Sequence, residues 1–311
     1  MGSLKLTPSL SKSVVITGAS SGLGKAAAIR LSELGYRVYA GVRTEASAAE
    51  LSGASSSTGG LIPVILDVTD ATSIARLGER VERDCSDTGL WAVVNNAGVS
   101  ISAPLECIPI EAIRTELETN VVGAIAVSQR FLRLLRESRG RIVNVGSGVG
   151  SVAPPYLAVY AASQFAKEGL SDALRRELRP LGVSVSVIQP GAVYTPIWGK
   201  MRQSADEILA AAPADVVETY RARFTAFMNM NAVRAQASKT TPADYADTVA
   251  AALSAKRPKA RYRVGLDSWT SALARRVLPD RVMDAVLAFG LKAMTRPAPE
   301  GVVPQRIQKA V

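Results

Sequence analysis

The side chains best suited to acid–base chemistry lie between Asn144 and Leu170, in a chain that contains no histidine. Without imidazole, a Ser-His-Asp triad, a Cys-His dyad and ordinary zinc ligation are excluded. Proton transfer then falls to tyrosine, lysine or a carboxylate. In NVGSGVGSVAPPYLAVYAASQFAKEGL, a short apolar strand (Arg141–Val145) breaks at Gly146-Ser147-Gly148, and order resumes as a helix carrying Tyr160. Tyr160 is expected to start that helix with its hydroxyl near that of Ser147. Gln164 follows four residues on, on the same helix face; its amide donates and accepts but brings no charge. Lys167 returns to nearly that face, yet at about 1.5 Å rise per residue it starts about 10 Å along the axis. It reads as a solvated or interface lysine.

The elements that must position these groups are legible from the N-terminal side. Val14–Thr17 is a buried strand followed by TGASSGLGKAAAIRLSELG, with Gly18, Gly22 and Gly24 at GxxxGxG spacing and Gly35 ending the helix. Three glycines there suit either a tight strand–helix turn or a backbone cradle for a pyrophosphate at a helix N-terminus. Arg37–Val42 is a second strand, followed at once by Arg43. An acid at this point would suit the ribose hydroxyls of NAD, whereas an arginine accommodates the 2′-phosphate of NADP. Thr44–Gly60 reads as a weak helix running into a loop, and Leu61–Val68 as a third strand. Ser73–Asp84 is amphipathic through Ile74, Leu77 and Val81. Trp91–Val94 is a fourth strand ending in Asn95-Asn96-Ala97-Gly98. Ile110–Glu118 and Val121–Leu135 read as helices on either side of Asn120, which as a local hydrogen-bonder or cap has a structural reading as well. Val183–Gln189 is a further strand, closed by Pro190-Gly191. The strand–helix alternation argues for a doubly wound parallel sheet with ligands at the strands' carboxyl ends.

Taken together, TGASSGLG, NNAG, Ser147 with Tyr160, and PGAVYT resemble the short-chain dehydrogenase/reductase family without a gap from Val14 to about Thr195. The departure is Gln164, where the family's Tyr-x-x-x-Lys helix carries lysine. The resemblance implies a single-domain Rossmann-like α/β fold over 12–270, with a substrate-lid insertion at 194–241 and a basic C-terminal helical extension at 271–311. It implies NADP(H) held by Gly18, Ser20, Ser21, Gly22, Leu23, Gly24, Arg43, Asp67, Val68, Asn95, Ala97, Gly98, Tyr160, Gln164, Pro190, Gly191, Val193 and Thr195. It places Ser147, Tyr160, Gln164 and Asn120 in the catalytic group, and implies a homodimer or homotetramer. Without the lysine charge, Tyr160 is expected nearer the phenol reference of about 10. That favours a neutral general acid, hence carbonyl reduction over alcohol oxidation. A nucleotide-binding protein without redox turnover is the alternative.

The substrate half of the chain is apolar. Val217, Tyr220, Phe224 and Phe227 recur at helical spacing between Tyr194 and Thr241, a stripe that serves as core or as the wall of an apolar pocket. Pro242–Ala255 reads as a helix capped by Thr241, RYRVGLDS as a last strand, and Leu278–Met294 as an amphipathic helix. RYRVGLDS resembles the ending of retinol- and hydroxysteroid-dehydrogenase-like members, which implies a bulky lipophilic carbonyl or alcohol. The two cysteines, Cys85 and Cys107, form no CxxC pair and read as reduced thiols of a cytoplasmic protein. Neither the N-terminus nor any other stretch is apolar for long enough to be a leader or a span. From Ala251 onward twelve Lys and Arg face four Asp and Glu, so the tail carries most of the net +10. That excess reads first as a solvated face and second as a weak peripheral contact with an anionic membrane. No recognition motif points to nucleic acid.

Overall fold

The computed structural model describes residues 12–54 and 60–294; the leader reading, the end of the Thr44–Gly60 loop, and Arg296, Glu300, Arg306 and Lys309 lie outside them. In chain order the elements are β1 (Ser13–Ile16), α1 (Gly22–Glu33), β2 (Arg37–Val42), α2 (Glu45–Gly53), β3 (Leu61–Ile65), α3 (Ala71–Asp84), β4 (Ala92–Asn95), α4 (Ile110–Leu117), α5 (Gly123–Glu137) and β5 (Arg141–Val145). They continue with α6 (Ala158–Leu178), β6 (Ser184–Pro190), α7 (Ile197–Ala211), α8 (Ala214–Ala237), α9 (Pro242–Ser254), β7 (Arg261–Val264), α10 (Leu266–Val277) and α11 (Asp280–Met294). All seven strands are parallel, in the order β3-β2-β1-β4-β5-β6-β7. The order reverses between β1 and β4, which opens a crevice beyond their carboxyl ends.

The strands are buried on both faces, and alternate residues serve different layers. Val14, Ile16, Val38, Ala40, Val94 and Val143 pack toward α1 and α9. Val15, Tyr39, Val93, Ile142 and Val185 pack toward α3, α5 and the end of α6. The expected doubly wound sheet is therefore the observed one. α9 begins as its sequence predicts: Thr241 accepts from the Asp244 amide while the Asp244 carboxylate accepts from the Thr241 amide, with Pro242 in the first turn.

Three segments differ from the sequence reading. α4 and α5 are joined through one π-helical turn, Glu118–Val122, so Asn120 sits inside a continuous helical run rather than at a boundary. A π turn inserts one residue into the helical register, and such turns recur at functional sites. The 194–241 insertion is a pair of helices, α7 and α8, packed through Leu157, Met201, Ala205, Phe224, Phe227 and Met228. The last strand stops at Val264; Gly265, at φ 92°, turns the chain into α10, so the expected break at 270/271 falls inside a helix.

Candidate active site

A cavity of about 610 Å³ occupies the crevice at the carboxyl ends of the strands. One end is backbone. Gly18 and Gly22 adopt positive φ (67° and 56°), which glycine takes at no steric cost. A side chain at Gly24 would overlap the Gly18 carbonyl and the Asn96 amide, so this turn stays tight enough to present main-chain N–H groups at the start of α1. Asn96 holds the turn from below: its Nδ2 donates to the carbonyls of Thr17 (2.9 Å) and Gly18 (3.0 Å). Its Oδ1 in turn accepts from the buried Tyr245 hydroxyl of α9 at 3.0 Å.

Among the residues expected to hold a cofactor, Gly18, Ser20, Ser21, Gly22, Leu23, Gly24, Arg43, Asp67, Val68, Ala97, Gly98, Tyr160, Gln164, Pro190, Gly191, Val193 and Thr195 line this one cavity. Asn95 does not. Its side chain is buried in the sheet and donates to Ser128 (2.9 Å) and Asn144 (2.8 Å), tying β4 to α5 and β5. Its neighbour Asn96 faces the cavity instead, because successive residues leaving a strand point to opposite sides. Asp67 is held below the usual carboxylate range, first by the Thr69 backbone N–H and then by the Thr69 hydroxyl, with Arg43 adding attraction.

At the other end, Ser147 follows β5 and accepts from the Val149 amide at 3.2 Å. Its hydroxyl and the Tyr160 phenol line the same cavity, close enough for hydrogen bonding to favour the phenolate. Tyr160 is in the first turn of α6, which starts at Ala158. Burial pushes the phenol up to about 12, the Ser147 hydrogen bond opposes that, and the Glu116 charge adds to it. The phenol is thus a weaker acid than the sequence reading expected, since desolvation acts in addition to the missing positive charge.

Gln164 is 2% exposed and donates through Nε2 to Ser163 at 3.2 Å, while its Oε1 has no partner among the described residues. A buried amide oxygen without a donor costs free energy until something supplies one. A ribose hydroxyl of a dinucleotide in the cavity would do so. The glycine cradle, the cavity's size and this orphaned oxygen together fit a nicotinamide dinucleotide. Asn120 is fully buried and does not reach the cavity wall. It clamps Val99 by accepting from its N–H (2.8 Å) and donating to its carbonyl (2.9 Å), and it donates to Ser163 at 3.0 Å. It therefore positions α6 against the NNAG turn.

Two charged groups were missed or misread. Lys167 is not a surface lysine: it is 2% exposed, lines the cavity, and donates to the Val145 carbonyl at 3.0 Å. Helical side chains lean toward the helix N-terminus, so axial spacing counted from Cα positions overstates the distance from Tyr160. Glu116 of α4 is fully buried and accepts from the Ile101 amide at 3.0 Å. Asp267, at the start of α10, was also overlooked. It accepts from the Ala192 amide (2.7 Å) and from Arg234 (3.2 Å), fixing the Pro190–Val193 turn against the lid.

The substrate end is walled by Val149, Val152, Leu157, Trp198, Met201 and Leu287. Residues 12–206 match the family described as short chain dehydrogenase. A 3-amino-tetrahydro-pyrrolizinone reductase of Xenorhabdus hominickii is 41% identical over 257 residues, covering 83% of this chain and 88% of its own. A 17-beta-hydroxysteroid dehydrogenase type 6 of Bos taurus is 38% identical over 280 residues, covering 89% and 87%. Among solved structures, a short chain dehydrogenase from Burkholderia cenocepacia J2315 in complex with NADP superposes with a TM-score of 0.65 at 26% identity, covering 90% of this chain and 98% of that one. A short chain dehydrogenase/reductase from Burkholderia phymatum in complex with NAD gives 0.71 at 24% identity, covering 89% and 95%.

Proposed function

Because this chain belongs to the short-chain dehydrogenase family over most of its length, we propose that it is an NADPH-dependent reductase of a carbonyl on a bulky apolar small molecule. The observation that carries this reading is the Ser147–Tyr160 pair in the cavity that also holds the glycine cradle. Reduced nicotinamide supplies a hydride when bound. The chain's own residues do the rest. Ser147 hydrogen-bonds the substrate oxygen and orients Tyr160. Tyr160, neutral at physiological pH, gives that oxygen its proton. Gln164 orients the nicotinamide ribose through its free Oε1. The apolar wall from Val149 to Leu287 excludes water and selects lipophilic substrates. NADPH consumption with a panel of bicyclic, steroid and retinoid-like ketones tests the reading. Tight NADPH binding with no oxidation on any of them would favour the non-redox alternative, to which the uncharged Gln164 lends support.

The preference for NADP(H) rests on Arg43, which follows β2 and lines the adenosine end of the cavity. A charge-assisted bond to a 2′-phosphate contributes about 1.5–3 kcal/mol, or roughly 10–100-fold in Kd. Arg43→Ala is therefore expected to weaken NADPH binding by about that factor and leave NADH binding unchanged. Equal losses for both cofactors in a fluorescence titration would remove the assignment.

We also propose that α10 and α11 rest on anionic lipid surfaces. Leu266, Trp269, Leu273 and Val277 form an exposed stripe on α10; Val282, Val286 and Phe289 are exposed on α11, and Arg276 and Arg281 are exposed on the same two helices. Several cations of this region have protein partners: Arg261 pairs with Glu168 and Asp172, Arg275 pairs with Asp280, and Arg263 stacks on Trp269. Among the described residues no helix is long and apolar enough to cross a membrane. Co-sedimentation with phosphatidylserine vesicles, reduced by high salt and by Trp269→Ser, is the expected result. Equal recovery with and without vesicles would refute it.

A further inference from the structure

A buried cation, Lys167, shares the cavity of the acid–base pair. It lines the same cavity as Ser147, Tyr160 and Gln164, and its stem runs from the second turn of α6 after Tyr160 back toward the end of β5. The Val145 carbonyl that it holds lies two residues before Ser147 in the chain. An ammonium can donate three hydrogen bonds, and this is the one recorded for Lys167 among the described residues. Charged side chains are rarely buried without an opposite charge nearby, and the group that supplies it as it ionises is Glu116 of α4. Its carboxylate interacts electrostatically with both Lys167 and Tyr160, and touches Asn120, which bonds Ser163, which bonds Gln164.

We propose that Lys167, balanced by Glu116, is the proton donor that restores Tyr160 after each reduction, displaced one helical turn from the uncharged position 164. This rests on the reductase reading above. In the forward step the Tyr160 O–H bond breaks and its proton goes to the substrate oxygen, leaving a phenolate. An N–H bond of the Lys167 ammonium then breaks, its proton ends on the phenolate oxygen, and the neutral amine regains a proton from solvent through the open cavity. The transfer is downhill. Burial lowers Lys167 to about 8 while Tyr160 lies near 12, so the ammonium is much the stronger acid. Burial raises Glu116 to about 8, and attraction between the two opposes both shifts. The other charged groups around the site are otherwise engaged or distant. On α6 itself, Glu168 is bonded to Gln189 and to Arg261 of β7. Arg234 of α8 pairs with Asp267 of α10. Lys200 of α7 lines the lid side, and Arg43 and Asp67 line the adenosine end.

Lys167→Met is expected to lower kcat for reduction at least tenfold, leave the NADPH Kd within about twofold, and remove the basic limb near pH 8 from the kcat profile. Gln164→Lys with Lys167→Leu, which moves the ammonium to position 164, is expected to regain most of that loss. Glu116→Gln should shift the limb to lower pH, because the ammonium loses the charge that retains its proton. A folded, NADPH-binding Lys167→Met enzyme with wild-type kcat and an unchanged limb would overturn the proposal. Should that variant not fold, an unmoved limb in Glu116→Gln would overturn it instead. If the wild-type enzyme oxidises no NADPH with any carbonyl, the reductase reading falls by itself. The Lys167 assignment is then read from the 13Cε NMR titration of Lys167, which should fall near pH 8 and move to lower pH with Glu116→Gln. A titration at the ordinary lysine value, or one insensitive to Glu116, would sink it.

Discussion

Tyr160→Phe is expected to cut carbonyl reduction by about 10²–10⁴-fold, the usual contribution of a positioned general acid, while NADPH binds as before. The aromatic ring remains, so the apolar contacts that Tyr160 makes with α7 and α8 persist. Among the described residues the hydroxyl ties no other element of the fold; its neighbour is Ser147 in the cavity. What is removed is the side-chain proton donor that shares the cavity with Ser147. Rapid-mixing measurement of single-turnover NADPH oxidation, with cofactor Kd taken in parallel, separates this from a binding defect. A variant retaining a third or more of wild-type turnover would show that another group protonates the substrate.

The second large effect is on the reverse reaction. Alcohol oxidation needs Tyr160 as the phenolate, and burial first, then the Glu116 charge, push its proton loss up to about 12 against the Ser147 hydrogen bond. A group with a raised value is protonated throughout the neutral range, so the active phenolate is scarce there and increases tenfold with each pH unit until the value is reached. Oxidation of the cognate alcohol by NADP⁺ should therefore rise about 10²-fold between pH 7 and 9. A profile already level by pH 8 would mean that Tyr160 ionises far more readily than its surroundings imply.

The sheet and cofactor cradle were legible because both follow from local rules. Buried parallel strands read as short β-branched runs, and β2 and β5 were bounded by their residues alone. Gly18 and Gly22 advertise a turn that glycine adopts at no steric cost. The remainder depended on contacts between distant segments. The π turn at Asn120 shifts the helical register by one, so a strict 3.6-residue period divides one run into two. α10 was hidden because Arg261–Val264 reads on smoothly through Gly265, whose φ of 92° stops the strand. Asn95 and Asn96 are interchangeable in sequence; only the last strand residue's facing decides which of them reaches the cavity. Lys167 was misread for a related reason. Lysine carries a surface prior, and the acid that reverses it, Glu116, comes from another helix far upstream.

The order in which the walls of the cavity are made also has a consequence for synthesis. β7 pairs only with β6, and the Asp267 that fixes the Pro190–Val193 turn comes just after it, beyond both lid helices. A nascent chain halted before Arg261 would already possess the glycine loop and the tyrosine helix. It would nevertheless expose the backbone of β6 as a bare edge, a ready template for mispairing with another chain. The ribosome thus completes the reaction chamber near the end of its work, and chaperone engagement should be heaviest in that late window.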